Sequence, residues 1–220
     1  MKFLPLPNVI AICGFAGSGK DTFANIFVEE YGYKKVSMAD AVKDVLSVVF
    51  GWDRDMLQGI TPESRKWREE PDEYWSKVLE KPFTPRMAMT TIGTDVFRKH
   101  FHEDIWVHSI KRKIMNMGTK VIIPDIRFGN EVQMARSLNA CMFEIERGER
   151  PEWYNVATAE NMFLHEYGEL PADTMSKLYP EVHESEYRWI GLNKPCVMVE
   201  NAGSVDDLRK YVTGIYGKRG

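Results

Sequence analysis

Two groups of residues in this chain have the types and spacing for phosphate chemistry. The first is GFAGSGK, Gly14 to Lys20, which fits G-x-x-x-x-G-K and follows an apolar run, Asn8 to Gly14, whose residues suit a buried strand. Glycines at such a turn let successive backbone N–H groups point at phosphate oxygens. The start of the following helix adds its dipole, and a lysine reaches the β- and γ-phosphates. The candidate nucleotide-phosphate contacts are therefore Gly14, Gly17, Ser18, Gly19, Lys20, Asp21 and Thr22. Where this pattern usually continues with Ser or Thr as a magnesium ligand, Asp21 stands instead, with Thr22 next. Asp21 is a candidate to hold the cation through water, or else it only stabilises the helix N-terminus. The second group is Asp125 and Arg127, at the end of the apolar run Val121 to Pro124. An acid at a strand end is the magnesium-holding carboxylate of P-loop nucleotide enzymes, and an arginine fork clamps phosphate bidentately. The alternative for Arg127 is an internal ion pair with Asp125 or Glu131. Lys20, Asp125 and Arg127 are the catalytic candidates, and Asp125 and Asp21 are the metal candidates.

Elements that position these groups are legible from periodicity. Phe23, Ala24, Phe27 and Val28 recur at helical spacing after the glycine turn, Tyr33 to Met38 suits a strand, and Ala41 to Phe50 marks a helix stopped by Gly51. Asp104 to Gly118 reads as a capped helix, Lys120 to Pro124 as a strand, Asn130 to Asn139 as a helix and Ala140 to Ile145 as a strand. Cys196 to Glu200 reads as a strand, and Ser204 with Asp207 opens a last helix. Short apolar strands alternating with helices predict an α/β fold, a central parallel sheet covered by helices on both faces, whose ligands bind at the carboxyl ends of the strands. Two stretches lack a clean period. One runs over 52–101, with four prolines and the tryptophans Trp52, Trp67 and Trp75; the other runs over 147–188, with nine acids against Arg147, Arg150, Lys177 and Arg188. The expected organisation is a core of 1–51, 102–146 and 189–220, a substrate-facing insertion at 52–101 and a second insertion at 147–188. Trp75 is a candidate to stack on a base, although bulky aromatics more often build core.

Composition narrows the function classes. Of 220 residues, 44% are hydrophobic and 28% charged, and 29 Lys+Arg face 32 Asp+Glu for a net charge of −3. That balance suits a soluble globular protein and argues against broad nucleic-acid binding, which needs a basic surface. No apolar run reaches the roughly 20 residues that span a bilayer, and Met1 to Pro7 is too short for a signal peptide, so no membrane association is expected and the location expected is cytoplasmic. Cys13, Cys141 and Cys196 each lie in an apolar stretch and read as buried thiols of a reducing compartment.

GFAGSGKDT, IGTDVFR (Ile92 to Arg98), PDIRFGNE (Pro124 to Glu131) and HESE (His183 to Glu186) occur in this order. Together they resemble the phage-type deoxynucleoside monophosphate kinases. The resemblance implies a three-layer P-loop kinase fold and transfer of the ATP γ-phosphoryl group to a deoxynucleoside 5′-monophosphate, with ATP and Mg2+ as cofactors and, if phage-encoded, a host cytoplasm. It puts Gly14, Gly17, Gly19, Lys20 and Thr22 on the ATP phosphates and Arg86, Arg98 and Arg127 near the acceptor. It makes 52–101 the monophosphate-binding region and 147–188 a lid, in which Arg147, Arg150 or Arg188 reaches the transferring phosphoryl. It also suggests a homodimer. Two other readings stay open: a P-loop kinase with an alcohol acceptor, such as a dephospho-coenzyme A or small-metabolite kinase, and a nucleotide-binding regulatory module without turnover.

Overall fold

The computed structural model describes residues 3–169, 174–194 and 196–218. The chain divides into two compact units, Met1–Ser37 with Ile114–Gly220 and Met38–Lys113. In the first unit β1 (Val9–Cys13) is buried along its whole length. It pairs in parallel with β3 (Val121–Ile123) on one side and β4 (Cys141–Glu146) on the other. The short β2 (Lys34–Lys35) and β5 (Val197–Glu200) complete the order β2-β3-β1-β4-β5, all parallel. The strand expected over Tyr33 to Met38 shrinks to two residues with exposed lysines at the sheet edge, where pairing on one side gives little reason to extend. Strands buried on both faces need helices on both, and this is why β1 and β3 read as unbroken apolar runs.

Helix α1 (Lys20–Tyr31) buries Phe23, Ala24, Ile26, Phe27 and Tyr31. Phe23, Phe27 and Tyr31 recur every four residues and so stack along one stripe; the rings of Phe23 and Phe27 pack against Phe143 of β4, with centroids 5.1 and 6.3 Å away. Helix α12 (Val205–Tyr216) starts at the Ser204–Asp207 capping box that the sequence announces and adds Leu208 and Val212 to the same core. Helix α9 (Gly129–Ser137) follows the turn after β3. The stretch 147–188 contains helix α10 (Tyr154–Tyr167), the single turn α11 (Met175–Leu178) and a 3-10 turn, Glu184–Glu186; its residues 170–173 lie outside the described residues. Cys13 is buried, but Cys141 and Cys196 are only partly so. Cys141 is the first residue of β4 and Cys196 immediately precedes the edge strand β5, so both sit at strand ends rather than in the middle of the sheet.

The second unit is helical: α2 (Asp40–Phe50), α3 (Arg54–Gln58), α4 (Pro62–Trp67), α5 (Glu73–Val78), α6 (Pro85–Thr90) and α7 (Phe97–His100), with a π-helical turn, Thr91–Val96, between the last two. Helix α8 (Ile105–Asn116) begins here as well. The lack of period in 52–101 has a local cause: helices of four to six residues are too short to display one. They are punctuated instead by side-chain caps, Asp53, Thr61, Asp72 and Thr84. Trp52 and Phe50 stack with centroids 4.6 Å apart within the core formed by Val42, Leu46, Leu57, Phe83, Ala88 and Trp106.

Candidate active site

The glycine loop leaves β1 at Gly14, whose φ of 146° has the chain turning where only glycine fits: a Cβ there would overlap the Ile145 carbonyl oxygen. Gly19, with φ 98°, is the left-handed residue that starts α1, and a Cβ on it would strike the Asn201 side chain. Asn201 stands just past β5 and donates through Nδ2 to the Ser18 carbonyl at 2.8 Å. Its own N–H donates to the Glu146 carbonyl at 2.7 Å. The carboxyl ends of β4 and β5 thus brace the loop from below. Asn201 carries no motif in the sequence, and only the strand order reveals it.

Inside the loop the Ser18 hydroxyl is buried and has no hydrogen-bond partner among the described residues. The first N–H groups of α1 lack intrahelical acceptors, as at any helix start. A donor cradle with an orphaned hydroxyl fits an anionic phosphate chain. Lys20 Nζ donates to the Gly14 and Phe15 carbonyls at 2.8 and 2.6 Å. Burial, followed by the Arg127 charge, lowers its pKa. Asp21 is exposed and paired with Lys35 at 2.5 Å; Thr22 is half-buried on the first turn of α1.

The neighbouring strand brings the second group. Ile126 N–H donates to the Ile12 carbonyl at 3.2 Å, holding the chain after β3 against β1. Asp125 accepts from the Ser37 hydroxyl at 2.6 Å, and Ser37 follows β2. Three adjacent strands therefore end in the phosphate loop, the acid and a serine. Ser37 is a second residue that sequence reasoning passes over. Arg127 is nearly half exposed; its guanidinium meets Glu186 at 3.3 Å and the Ser185 hydroxyl at 3.4 Å. The Glu131 carboxylate accepts instead from the backbone N–H groups of Arg127 and Phe128, at 2.7 and 3.1 Å. Ser185 in turn is fixed by His183, whose Nδ1 accepts its backbone N–H. The HESE segment is thus a capped turn whose Ser185 and Glu186 side chains face Arg127.

The arginines of 147–188 differ in their surroundings. Arg147 is exposed. Arg150 pairs with Glu146 at 2.6 Å and lies 4.3 Å over the Tyr154 ring. Arg188 is held by the buried Glu160 at 2.7 Å. This segment meets the phosphate loop through Phe15, whose ring lies 5.6 Å from Trp153 and 6.2 Å from Tyr154.

Arg86, Arg98 and Trp75 belong to the helical unit. Arg86 pairs with Glu69 at 2.9 Å. Arg98 is half-buried at the first turn after the π-helical segment, an element frequent at functional sites. Trp75 lies edge-on to Phe50 at 5.0 Å, with its indole N–H on the Phe50 carbonyl at 3.0 Å. Beside Arg86 the sequence reading missed Arg68. Its Nε is buried without a hydrogen-bond partner among the described residues, its guanidinium occupies the space a Cβ would take at Gly59, and burial followed by the Arg86 charge lowers its pKa. Arg65, Arg68 and Arg86 form a cationic group in which Glu69 pairs with Arg86.

A glycine loop after the central strand of a parallel sheet and an acid at the end of the adjacent strand are the parts of a P-loop kinase fold. Residues 63–162 match the family model of deoxynucleotide monophosphate kinase. A protein of Acanthamoeba polyphaga mimivirus, provisionally named a deoxynucleotide monophosphate kinase, is 28% identical over 151 residues, 63% of this chain and 74% of its own. Over part of its length the chain is thus similar to deoxynucleotide monophosphate kinases. Among solved structures, a gluconokinase from Sinorhizobium meliloti 1021 is 15% identical, covering 94% of this chain and 90% of its own with a TM-score of 0.40. A dephospho-CoA kinase from Campylobacter jejuni is 14% identical, covering 96% of each chain with a TM-score of 0.40. Among the described residues no helix is long and apolar enough to cross a membrane.

Proposed function

We propose that this protein is a deoxynucleotide monophosphate kinase, transferring the γ-phosphoryl group of magnesium-bound ATP to a deoxynucleoside 5′-monophosphate through Lys20, Asp125 and Arg127. The observation that carries the donor half is the loop itself: glycines at φ values that exclude side chains, an orphaned buried Ser18 hydroxyl and a lysine on its own carbonyls. Lys20 exchanges those carbonyls for the β- and γ-phosphates, so its charge is available where negative charge develops. The oxygen donors Asp125 and Ser37 suit a hard cation and would hold magnesium or its water shell, which neutralises phosphate charge when bound. The pairing of Asp21 with Lys35 favours its role at the helix N-terminus over metal binding.

Arg127 orients the acceptor and transferring phosphates. Its fork is held by Glu186 and Ser185, contacts long enough at 3.3 and 3.4 Å to be exchanged for phosphate oxygens. An acceptor phosphate oxygen is already ionised near neutral pH, so positioning and charge neutralisation suffice and His183 needs no catalytic part. The group of Arg65, Arg68 and Arg86 favours an anionic acceptor over an alcohol, with Arg98 and Trp75 as further acceptor-side candidates. Of the lid arginines, Arg147 is the one without an ion pair among the described residues and is the candidate to reach the transferring phosphoryl. We assign 52–101 to the monophosphate and 147–188 to the lid. The test is ADP release with ATP and magnesium against each dNMP, each ribonucleoside monophosphate and dephospho-coenzyme A. Turnover confined to nucleoside monophosphates and faster with the deoxy series supports the reading; turnover only with dephospho-coenzyme A refutes it.

A further inference from the structure

Sequence spacing gives His102, Asp104 and His108 no familiar metal pattern, yet the fold gathers them. Asp104 precedes α8 and His108 lies on its first turn, the His108 N–H donating to the Asp104 carbonyl at 2.9 Å. This relation of residues i and i+4 stacks both side chains on one side of the helix start. The loop before α8 doubles back, with Asp104 N–H donating to His102 Nδ1 at 3.0 Å. The two imidazole rings come to 5.2 Å between centroids, at 70° to one another. One ligating atom from each of the three residues falls within 4.8 Å of the others, with both histidines exposed and Asp104 partly so.

We propose that His102, Asp104 and His108 bind a borderline divalent transition metal of the zinc class. Two imidazoles and one carboxylate suit Zn2+, Co2+ or Ni2+, whereas Mg2+ and Ca2+ take all-oxygen sites. Bonds of about 2.0–2.2 Å need the ligand atoms roughly 3.5 Å apart, a small closure that exposed rings on single bonds make readily. The metal competes with the Asp104 N–H for the lone pair of His102. Water fills the remaining positions, as in sites with three protein ligands. Bound metal ties the segment after α7 to the first turn of α8, and a ligand of the folded state alone stabilises that state by mass action. The site draws on none of the residues assigned to phosphoryl transfer.

The experiment uses full-length, tag-free protein without nucleotide, titrated with Co2+ and then Zn2+, and reads visible absorption together with histidine ring NMR signals. One equivalent is expected to perturb His102 and His108, to be displaced by Zn2+ and to be indifferent to millimolar Mg2+. His102→Ala/His108→Ala should weaken binding at least about tenfold while leaving kinase activity without added transition metal unchanged. A circular dichroism spectrum matching wild type shows that the variant folds. Unchanged binding by the double variant overturns the proposal, because the metal then sits at the thiols or the phosphate loop; so does the absence of saturable binding in the wild type.

Discussion

Arg127 and Glu186 face one another at 3.3 Å, an ion pair that joins the turn after β3 to the HESE segment 59 residues further along the chain. With nearly half of the Arg127 side chain open to solvent, the pair is worth little as a stabilising contact. Its consequence is orientation: the guanidinium is aimed before any substrate arrives.

Arg127→Ala should therefore cost about 2–4 kcal/mol in kcat/KM for the monophosphate, the scale of removing one partner from a desolvated charge pair. Arg127→Lys should stay impaired because a point charge lacks the fork. The KM for ATP should change little. Steady-state kinetics with each substrate varied in turn decides it, and a folded Arg127→Ala enzyme with wild-type kcat/KM would confine Arg127 to its pair with Glu186.

For Lys20→Ala the expected outcome is an intact fold and a rate lowered at least about a hundredfold, since charge on the transferring phosphates is lost. Gly14 and Phe15, whose carbonyls Lys20 now satisfies, are only partly buried, so thermal unfolding should shift only slightly. Near-normal turnover would remove Lys20 from the chemistry.

Asp125→Asn should raise the magnesium concentration needed for half-maximal rate and lower the maximal rate, because a neutral amide holds a hard cation more weakly. Ser37→Ala, which deletes the 2.6 Å hydrogen bond to the carboxylate, should move the same titration in the same direction by less. A magnesium titration identical to wild type in both variants would make the pair structural.

Glu144 supplies a pH signature. It is fully buried on β4, and burial would raise its pKa, yet hydrogen bonds from Asn193 at 2.7 Å and Lys194 at 2.9 Å outweigh burial and hold it below the ordinary glutamate value. A folded-state pKa below the unfolded one gives stability that is present above about pH 4.3 and is lost as pH falls through the folded value. Urea unfolding of the wild type from pH 7 to pH 3 should show that acid-side loss. Glu144→Gln should be about 1–3 kcal/mol less stable at pH 7 and flatter below pH 5. Parallel curves for the two proteins would assign the acid sensitivity to other carboxylates.

The strand–loop–helix at Val9–Tyr31, the strand ending at Asp125 and the capped helix after Ser204 were all legible in the residues, because each is specified locally. A glycine at positive φ, a buried apolar run and a Ser–Asp capping box act over a few positions, and sequence displays such terms directly. The helices of 52–101 and 154–167 were not placed, since their periods are too short or are obscured by buried polar groups such as Glu160 and Asn161. The partnerships were decided only by tertiary structure. Ser37 meets Asp125 across 88 residues and Asn201 meets Ser18 across 183, because strand order sets neighbours at the carboxyl ends of the sheet. Likewise, a chain reversal before α8 sets His102 beside His108. Contacts between distant positions depend on how chain segments pack in space, and no local pattern of residue types encodes that.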